Sequence, residues 1–580
     1  MVEERAPASG PVVEERAPAS GPVVEERAPA SVSRPPTPAT APSRRGCRRR
    51  LLGWSPTSRR SPVPLAPPRA PRRSRRPGAA LGVGPGVGPV VGVVVGVVVS
   101  GLLLGGLLPA GPGLAAAPST ASATAADRPA HASAEVRRAP RHSLEERIDR
   151  LPHVVGVSRR GPRVLDVRFR QPVDHTVRGG PTFVQRVVVT HRGVGRPTVV
   201  TTSGYSLPGP DPTEPTRLVD GNQVGFEHRF FGRSRPTDLS PESWRTYLTL
   251  EQAAADEHRI IASLRRLYPR PWLSTGVSKG GMAAVYHRRA YPDDVAGTIP
   301  YGAPDDVVDT DDAYSDFLDR VGTSAGCRDR LVALQRAVLV QREALAPRLA
   351  DLGPTKILGG PDRALEFLAT DLAFGFWAYR GQEACPTLPR DPAALSPRRL
   401  WAEVTDVSPP IAYVDPVLRT YAPYYVQAAT QLGSPQLDES ALADLLRHPG
   451  ANTAAELVPR RLRPLALDPS AMPAVDAWVR EEAERVLFVD GGVDPWHAEP
   501  FSCGDDPAAA AARACLTTVV PGGTHGAPIA DLPDAERDRL VRTAGLATSS
   551  ADLAPRGWAV AEDGPTPARL RGLAPARVLR

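Results

Sequence analysis

From about residue 143 the chain settles into a rhythm of apolar and polar positions. Leu165-Asp166-Val167-Arg168-Phe169 and Phe183-Val184-Gln185-Arg186-Val187-Val188-Val189 alternate, which predicts two half-buried strands separated by a polar turn around Arg178-Gly179-Gly180. The apolar runs become nearly continuous at Pro197-Thr198-Val199-Val200-Thr201-Thr202 and at Gln223-Val224-Gly225-Phe226-Glu227, as suits strands covered on both faces. Residues 250–268 then place Ile260, Ile261, Leu264 and Leu267 on one face at helical spacing. A short buried strand at Pro271-Trp272-Leu273-Ser274-Thr275, a helix over 282–289 and a strand over 295–301 follow. This order predicts an α/β fold with a mostly parallel, doubly wound sheet, whose sites gather at the carboxyl ends of the strands.

After Asp306 the rhythm stops. Residues 312–480 show helical segments, for example 329–349 and 364–380, and no convincing strand pairs, so they are read as a helical cap inserted over the sheet. Strand patterns resume at Arg485-Val486-Leu487-Phe488-Val489-Asp490 and Leu516-Thr517-Thr518-Val519-Val520, and residues 531–546 close with an amphipathic helix. The expected division is a core first part over 127–311, the cap over 312–480, a core second part over 481–549 and a loose Pro/Ala/Arg-rich tail over 550–580.

Composition separates the front of the chain from this body. Residues 1–76 carry an eleven-residue repeat beginning at Val2, Val13 and Val24, rich in Pro, Ala and Arg, and too poor in large apolar residues to bury a core. The first 126 residues hold 16 Arg and 6 Glu, a surplus of +10 within an overall +8, so the remainder is near −2. That balance removes the basis for a nucleic-acid partner. Residues 77–126 follow Arg72-Arg73-Ser74-Arg75-Arg76 with a long apolar run and then small residues, the order of a signal peptide. The run is long enough to span a bilayer, but its glycines and the small residues after it favour cleavage. A secreted protein with no stable membrane association is therefore expected, exported by the Sec or, given the paired arginines, the twin-arginine route. A signal so far from Met1 also raises the prospect of a later start codon.

Four cysteines lie in the body, and they allow three pairings; local pairing of Cys503 with Cys515 and Cys327 with Cys385 is expected. A zinc site is disfavoured by the lack of a C-x2-C spacing, and neither metal nor cofactor is expected.

The chemistry starts at Gly276-Val277-Ser278-Lys279-Gly280. G-x-S-x-G between a strand and a helix is the pattern of a nucleophile elbow, although five residues of this looseness also occur as ordinary turns. A serine needs a histidine base, and the histidine needs a carboxylate to fix its tautomer. Two late loops supply them in the order this fold requires: Asp494 in Gly491-Gly492-Val493-Asp494-Pro495-Trp496, favoured over Asp490 at the strand end, and His525 in Pro521-Gly522-Gly523-Thr524-His525-Gly526. The expected oxyanion donors are the backbone N–H of Lys279 and that of Tyr205 or its neighbour, in the loop Ser203-Gly204-Tyr205-Ser206. Lys279 is one of only two lysines against 69 arginines, which suggests a local need for it.

The body resembles the secreted bacterial tripeptidyl aminopeptidases, including the prolyl tri/tetrapeptidyl aminopeptidases, which are distantly related to Pro-X carboxypeptidase and dipeptidyl peptidase II. The resemblance rests on Gln171-Pro172-Val173-Asp174-His175, Phe183-Val184-Gln185-Arg186, Glu227-His228-Arg229-Phe230-Phe231-Gly232, Tyr247-Leu248-Thr249, Gln252-Ala253-Ala254-Ala255-Asp256, the elbow through Met282, and Val493-Asp494-Pro495-Trp496, spanning roughly residues 143–545. It implies an α/β-hydrolase fold with a helical cap and no metal. It also implies peptide substrates cut three or four residues from a free amino terminus, with proline before the cut as one option, and a triad at Ser278, Asp494 and His525. Gln431 stands where relatives often carry an acid. Glu227 is a second candidate for holding the substrate amine, set against an internal ion pair with Arg229 or a neighbour. Tyr424, Tyr425 and Trp496 are candidate pocket residues, set against packing of the cap. The alternatives are an esterase or lipase of the same fold, or an exported binding protein on an inactive scaffold.

Overall fold

The computed structural model describes residues 142–310 and 313–543; the expected repeats, signal segment and tail lie outside them. Nine strands form one sheet: β1 (Val154–Gly161), β2 (Val164–Pro172), β3 (Thr182–Thr190), β4 (Thr198–Thr202), β5 (Asn222–Phe226), β6 (Trp272–Val277), β7 (Gly297–Tyr301), β8 (Val486–Gly491) and β9 (Cys515–Val520). Their spatial order is β1-β2-β3-β5-β4-β6-β7-β8-β9. The first three form an antiparallel meander joined antiparallel to β5, and every pairing from β5 through β4 to β9 is parallel. This is an α/β-hydrolase sheet.

The parallel strands were legible because their patterns are so apolar: every residue of β4, β5 and β8 is buried, as strands covered on both faces require. The edge strand β1 is the addition to the sequence reading. Its residues are only partly buried or exposed, so it lacks the contrast that reveals a strand. The same reason makes the third expected strand the fourth observed one.

The strand order sets the position of the site. From β4 the chain moves outward to β5, then returns to place β6 on the other side of β4. Loops leaving the carboxyl ends of β4 and β6 therefore diverge, which opens the crevice typical of a topological switch point. The loop after β4 holds Tyr205 and the turn after β6 holds Ser278.

Between β7 and β8 the chain is helical, and it builds its own apolar cluster around Leu334, Val338, Leu365, Leu368, Trp377, Leu400 and Leu418, closed by Phe230, Phe231 and Trp244 from the segment after β5. Two runs expected as single helices are each divided. Ala325–Val340 and Arg342–Leu352 meet at Gln341, whose amide donates to Leu395 O at 2.9 Å. Pro361–Thr370 and Leu372–Tyr379 meet at Asp371, whose carboxylate accepts from Tyr413 Oη and Asn452 Nδ2, each at 2.6 Å. Tertiary hydrogen bonds override a continuous helical pattern in both cases. Helix Ala471–Glu481 instead packs Met472, Val475 and Val479 against Val285 of helix Lys279–Ala290 and Val486 and Phe488 of β8.

Disulfides join Cys327 to Cys385 and Cys503 to Cys515. No described helix is long and apolar enough to cross a membrane.

Candidate active site

Ser278 lies between the end of β6 and helix Lys279–Ala290 with φ +58° and ψ −133°. A non-glycine residue here is strained and persists only where its surroundings fix it. The Ser278 N–H donates to Tyr301 O at 2.8 Å, and Ser278 O accepts from Met282 N at 3.0 Å. A Cβ on Gly276 would collide with Gly280, and one on Gly280 would collide with Thr202 O, so both glycines are needed for the strand and helix to cross this closely. The Lys279 N–H belongs to the first turn of its helix, where no intrahelical carbonyl is available to it and the helix dipole favours negative charge.

His525, in the turn after β9, sets Nδ1 2.7 Å from Asp494 Oδ2, and both residues are buried. Asp494 is fixed in turn: its Oδ1 accepts from Trp496 N at 3.2 Å, and its backbone N–H donates to Gly491 O at 3.1 Å. The carboxylate thus selects the tautomer with a proton on Nδ1 and leaves Nε2 as a base. Buried Nε2 makes no hydrogen bond, so the Ser278–His525 bond is not formed in this structure; free enzymes often hold this contact open until substrate arrives. The two residues are nonetheless carried by touching elements. A Cβ on Gly526 would stand 3.1 Å from Val277 Cγ1, and one on Gly302, next to Tyr301, would stand 3.1 Å from His525 Nδ1. Asp490 is directed elsewhere, with Oδ2 3.6 Å from His497 Nδ1.

Tyr205 departs from expectation. Its backbone N–H donates to Ser203 Oγ at 3.0 Å, inside the turn made by Gly204 at φ +68°. Its phenol is buried near Ser278, and burial and the neighbouring Tyr424 push it well above the usual tyrosine range. Lys279 is buried, donates from Nζ to Gly204 O at 2.7 Å, and lies 5.6 Å from the ring centroid of Tyr205 and 5.7 Å from that of Phe231. With no carboxylate to offset it, burial lowers the Lys279 amine to about 7. The side chain ties the β4 loop to the elbow, a use of the lysine that composition alone did not specify.

A small pocket adjoins Ser278, walled by Lys279, Met282, Asp306, Tyr314, Tyr424 and Trp496 together with the Leu432-Gly433-Ser434 turn. Tyr424 and Trp496 are thus on the cavity, while Tyr425 packs within the apolar cluster of the cap. Glu227 is engaged within its own turn. Its carboxylate accepts from Arg233 N, Ser234 N and Ser234 Oγ at 3.0, 3.0 and 2.8 Å and lies 3.6 Å from Arg186, because the strand-end acid closes the turn over residues 228–234. Arg229 pairs instead with Asp256. Gln431 accepts from Leu250 N at 3.1 Å and so caps a helix. Nothing in the sequence pattern marks Asp306 or Tyr314; the one signal for Asp306 is its place just beyond the carboxyl end of β7. Among the described residues no group of three or more His, Cys, Asp or Glu is placed to hold a metal.

The sequence profile of the PS-10 peptidase S37 family matches residues 147–574. A prolyl tri/tetrapeptidyl aminopeptidase of Streptomyces mobaraensis is 42% identical over 423 residues, covering 70% of this chain and 86% of that relative. Lysosomal Pro-X carboxypeptidase of Homo sapiens is 36% identical over 88 residues, 14% of this chain and 18% of that one. Among solved structures, a proline iminopeptidase of Mycobacterium smegmatis covers 65% of this chain and 97% of its own at 14% identity and a TM-score of 0.31. With a serine elbow and an Asp–His pair assembled on this sheet, and a family profile that spans most of the chain, the protein belongs to the S37 family of serine peptidases.

Proposed function

We propose that this chain is a secreted serine exopeptidase that releases tripeptides or tetrapeptides from peptides with a free amino terminus, through an acyl-enzyme on Ser278. The observation that carries the reading is the buried His525–Asp494 pair, with Nε2 bare, on elements that touch the strained serine turn. The named activity of the Streptomyces mobaraensis relative supports the substrate class.

In this mechanism Ser278 Oγ attacks the carbonyl carbon before the scissile bond while its proton passes to His525 Nε2, and Asp494 stabilises the imidazolium. Negative charge gathers on the former carbonyl oxygen, opposite the Lys279 N–H at the helix start and the Tyr205 phenol. Collapse breaks the C–N bond, and His525 returns the proton to the departing amine. Water then repeats the sequence, freeing the short peptide with a new carboxylate and restoring the Ser278 hydroxyl. The apolar wall of Met282, Tyr424 and Trp496 offers a flat surface for a proline ring before the cut. Two disulfides are compatible with an oxidising compartment, and the segment over 77–126 is the proposed export signal.

The test is mass spectrometry of the products from peptides with free and acetylated amino termini. Tripeptides or tetrapeptides are expected from the free peptides alone; equal cleavage of acetylated peptides, or internal cuts, would refute the aminopeptidase assignment. A fluorophosphonate should label the wild type, and labelling that survives Ser278→Ala would refute the nucleophile.

A further inference from the structure

A peptidase must also hold the part of the peptide that leaves, and the chemistry says where. The departing amine takes its proton from His525 Nε2, so the residue after the cut lies beside that imidazole. Two rings lie against His525. Trp496, at 6.2 Å between centroids, belongs to the pocket beside Ser278 and is buried against Tyr314 and Phe374. Tyr379, at 5.8 Å and edge-on at 85°, stands outside the wall of that pocket and is only partly buried. We propose that the Tyr379 ring is the surface that receives the residue after the cut, and that it selects large apolar or aromatic side chains there. The proposal rests on the acyl-enzyme reading above and names the side chain that meets the departing peptide.

The backbone fixes this placement. Tyr379 is the last residue of helix Leu372–Tyr379 in the cap, and His525 N donates to Ala378 O at 2.8 Å. Two residues further on, Gly381 has φ +67°, and a Cβ there would stand 2.7 Å from Thr524 Cγ2. The cap segment therefore approaches the histidine turn closely on both sides of Tyr379. It is anchored from behind, since Arg380 pairs with Asp406 and Cys385 is bonded to Cys327. After burial and Tyr424, the Tyr379 phenol is the next group that holds the Tyr205 phenol above its ordinary range, so Tyr379 extends from the base toward the β4 loop.

This arrangement divides the substrate at the scissile bond. The residue before the cut stays on Ser278 as the acyl group, next to the wall of Met282, Tyr424 and Trp496. The residue after the cut departs from the His525 side and meets Tyr379. A tyrosine ring offers a flat apolar face, and ring pairs gain attraction beyond the area they bury. A glycine after the cut has no side chain to lay against it.

The experiment sets two hexapeptides in competition, each with a free amino terminus and proline third, identical except for Phe or Gly as the fourth residue. Their relative rates of loss, followed by mass spectrometry, give the ratio of kcat/KM values within one enzyme. That ratio cancels the fraction of folded, active protein, so a partly folded variant remains informative. The wild type should favour the Phe peptide. In Tyr379→Ala the ratio should fall by about 10-fold, and in Tyr379→Phe it should be retained. An unchanged ratio in Tyr379→Ala would overturn the proposal while leaving the exopeptidase reading standing. So would an equal slowing of both peptides, which would mean that Tyr379 only positions His525. A wild type indifferent to the fourth residue would overturn the proposal as well, and cleavage of neither peptide would overturn the exopeptidase reading with it.

Discussion

Asp490 and Asp494 lie four positions apart on one strand end and have unlike surroundings. Burial pushes the Asp490 carboxyl above its ordinary range, against the pull of His497. Asp494 has its own turn to cap with one oxygen and His525 to orient with the other. Replacing Asp494 by Asn should leave the geometry near native but favour the wrong imidazole tautomer, lowering kcat by about 10⁴-fold. Asp490→Asn should cost far less, and steady-state kinetics that reversed this order would move the acid to Asp490. At this scale the sequence is informative wherever residue type and chain order together point to one position, as for the strained turn at Ser278 and the hydrogen-bonded pair Asp494 and His525. It is uninformative wherever a side chain's partner decides its role. Glu227 and Asp306 are both acids near carboxyl ends of parallel strands; three donors from residues 233 and 234 enclose the first, and a glycine turn lies against the second.

Among the elements, the runs that make the sequence recognisable converge in space. Gln171 Nε2 donates to Gln185 Oε1 at 2.8 Å and to Asp256 O at 3.0 Å, and Gln185 Nε2 donates to Glu227 O at 2.9 Å. Arg229 meets both oxygens of Asp256 at 2.8 Å, and His175 lies 2.7 Å from the same carboxylate. These groups bind β2, β3, the end of β5 and helix Leu250–Leu264 into one buried polar network. A half-satisfied network is costly, which constrains the residue types in the four motifs that supply it. Lys279 works between elements too, linking the elbow to the β4 loop. Its amine is lowered to about 7 from an ordinary 10.5, so between those values the unfolded chain holds a proton there that the folded chain has released. Stability contributed at this site therefore rises with pH across that window, and below about 7 the full cost of burying the ammonium is felt. Denaturation curves at pH 6 to 10 should show the wild type gaining on Lys279→Met on the order of 1 kcal/mol per pH unit through the window. Parallel curves would show that the amine keeps its ordinary proton affinity when buried.

For the whole molecule, each disulfide lies within one apolar cluster: Cys327 and Cys385 in that of the cap, Cys503 and Cys515 in that of the sheet. Their sequence separations of 58 and 12 residues correspond to chain-entropy contributions of about 4 and about 3 kcal/mol. Paired Cys→Ser variants should therefore lose more denaturation free energy in the cap than in the sheet; the opposite order would mean that loop closure is not what the bridges supply. The sequence alone carried the parallel strands, the chain order of the candidate serine, acid and histidine, and the expected cysteine pairs. Each rests on pattern within the sequence: an apolar run that must be buried, a turn that only glycine permits, or cysteines that neighbour one another in the order along the chain. Tertiary structure alone decided where the helical runs divide, that the Tyr205 N–H is bound within its own turn, and which acid borders the cavity. Those outcomes depend on partners brought from distant parts of the chain, and a hydrogen bond or a buried charge has no signature in the sequence until folding supplies the other half.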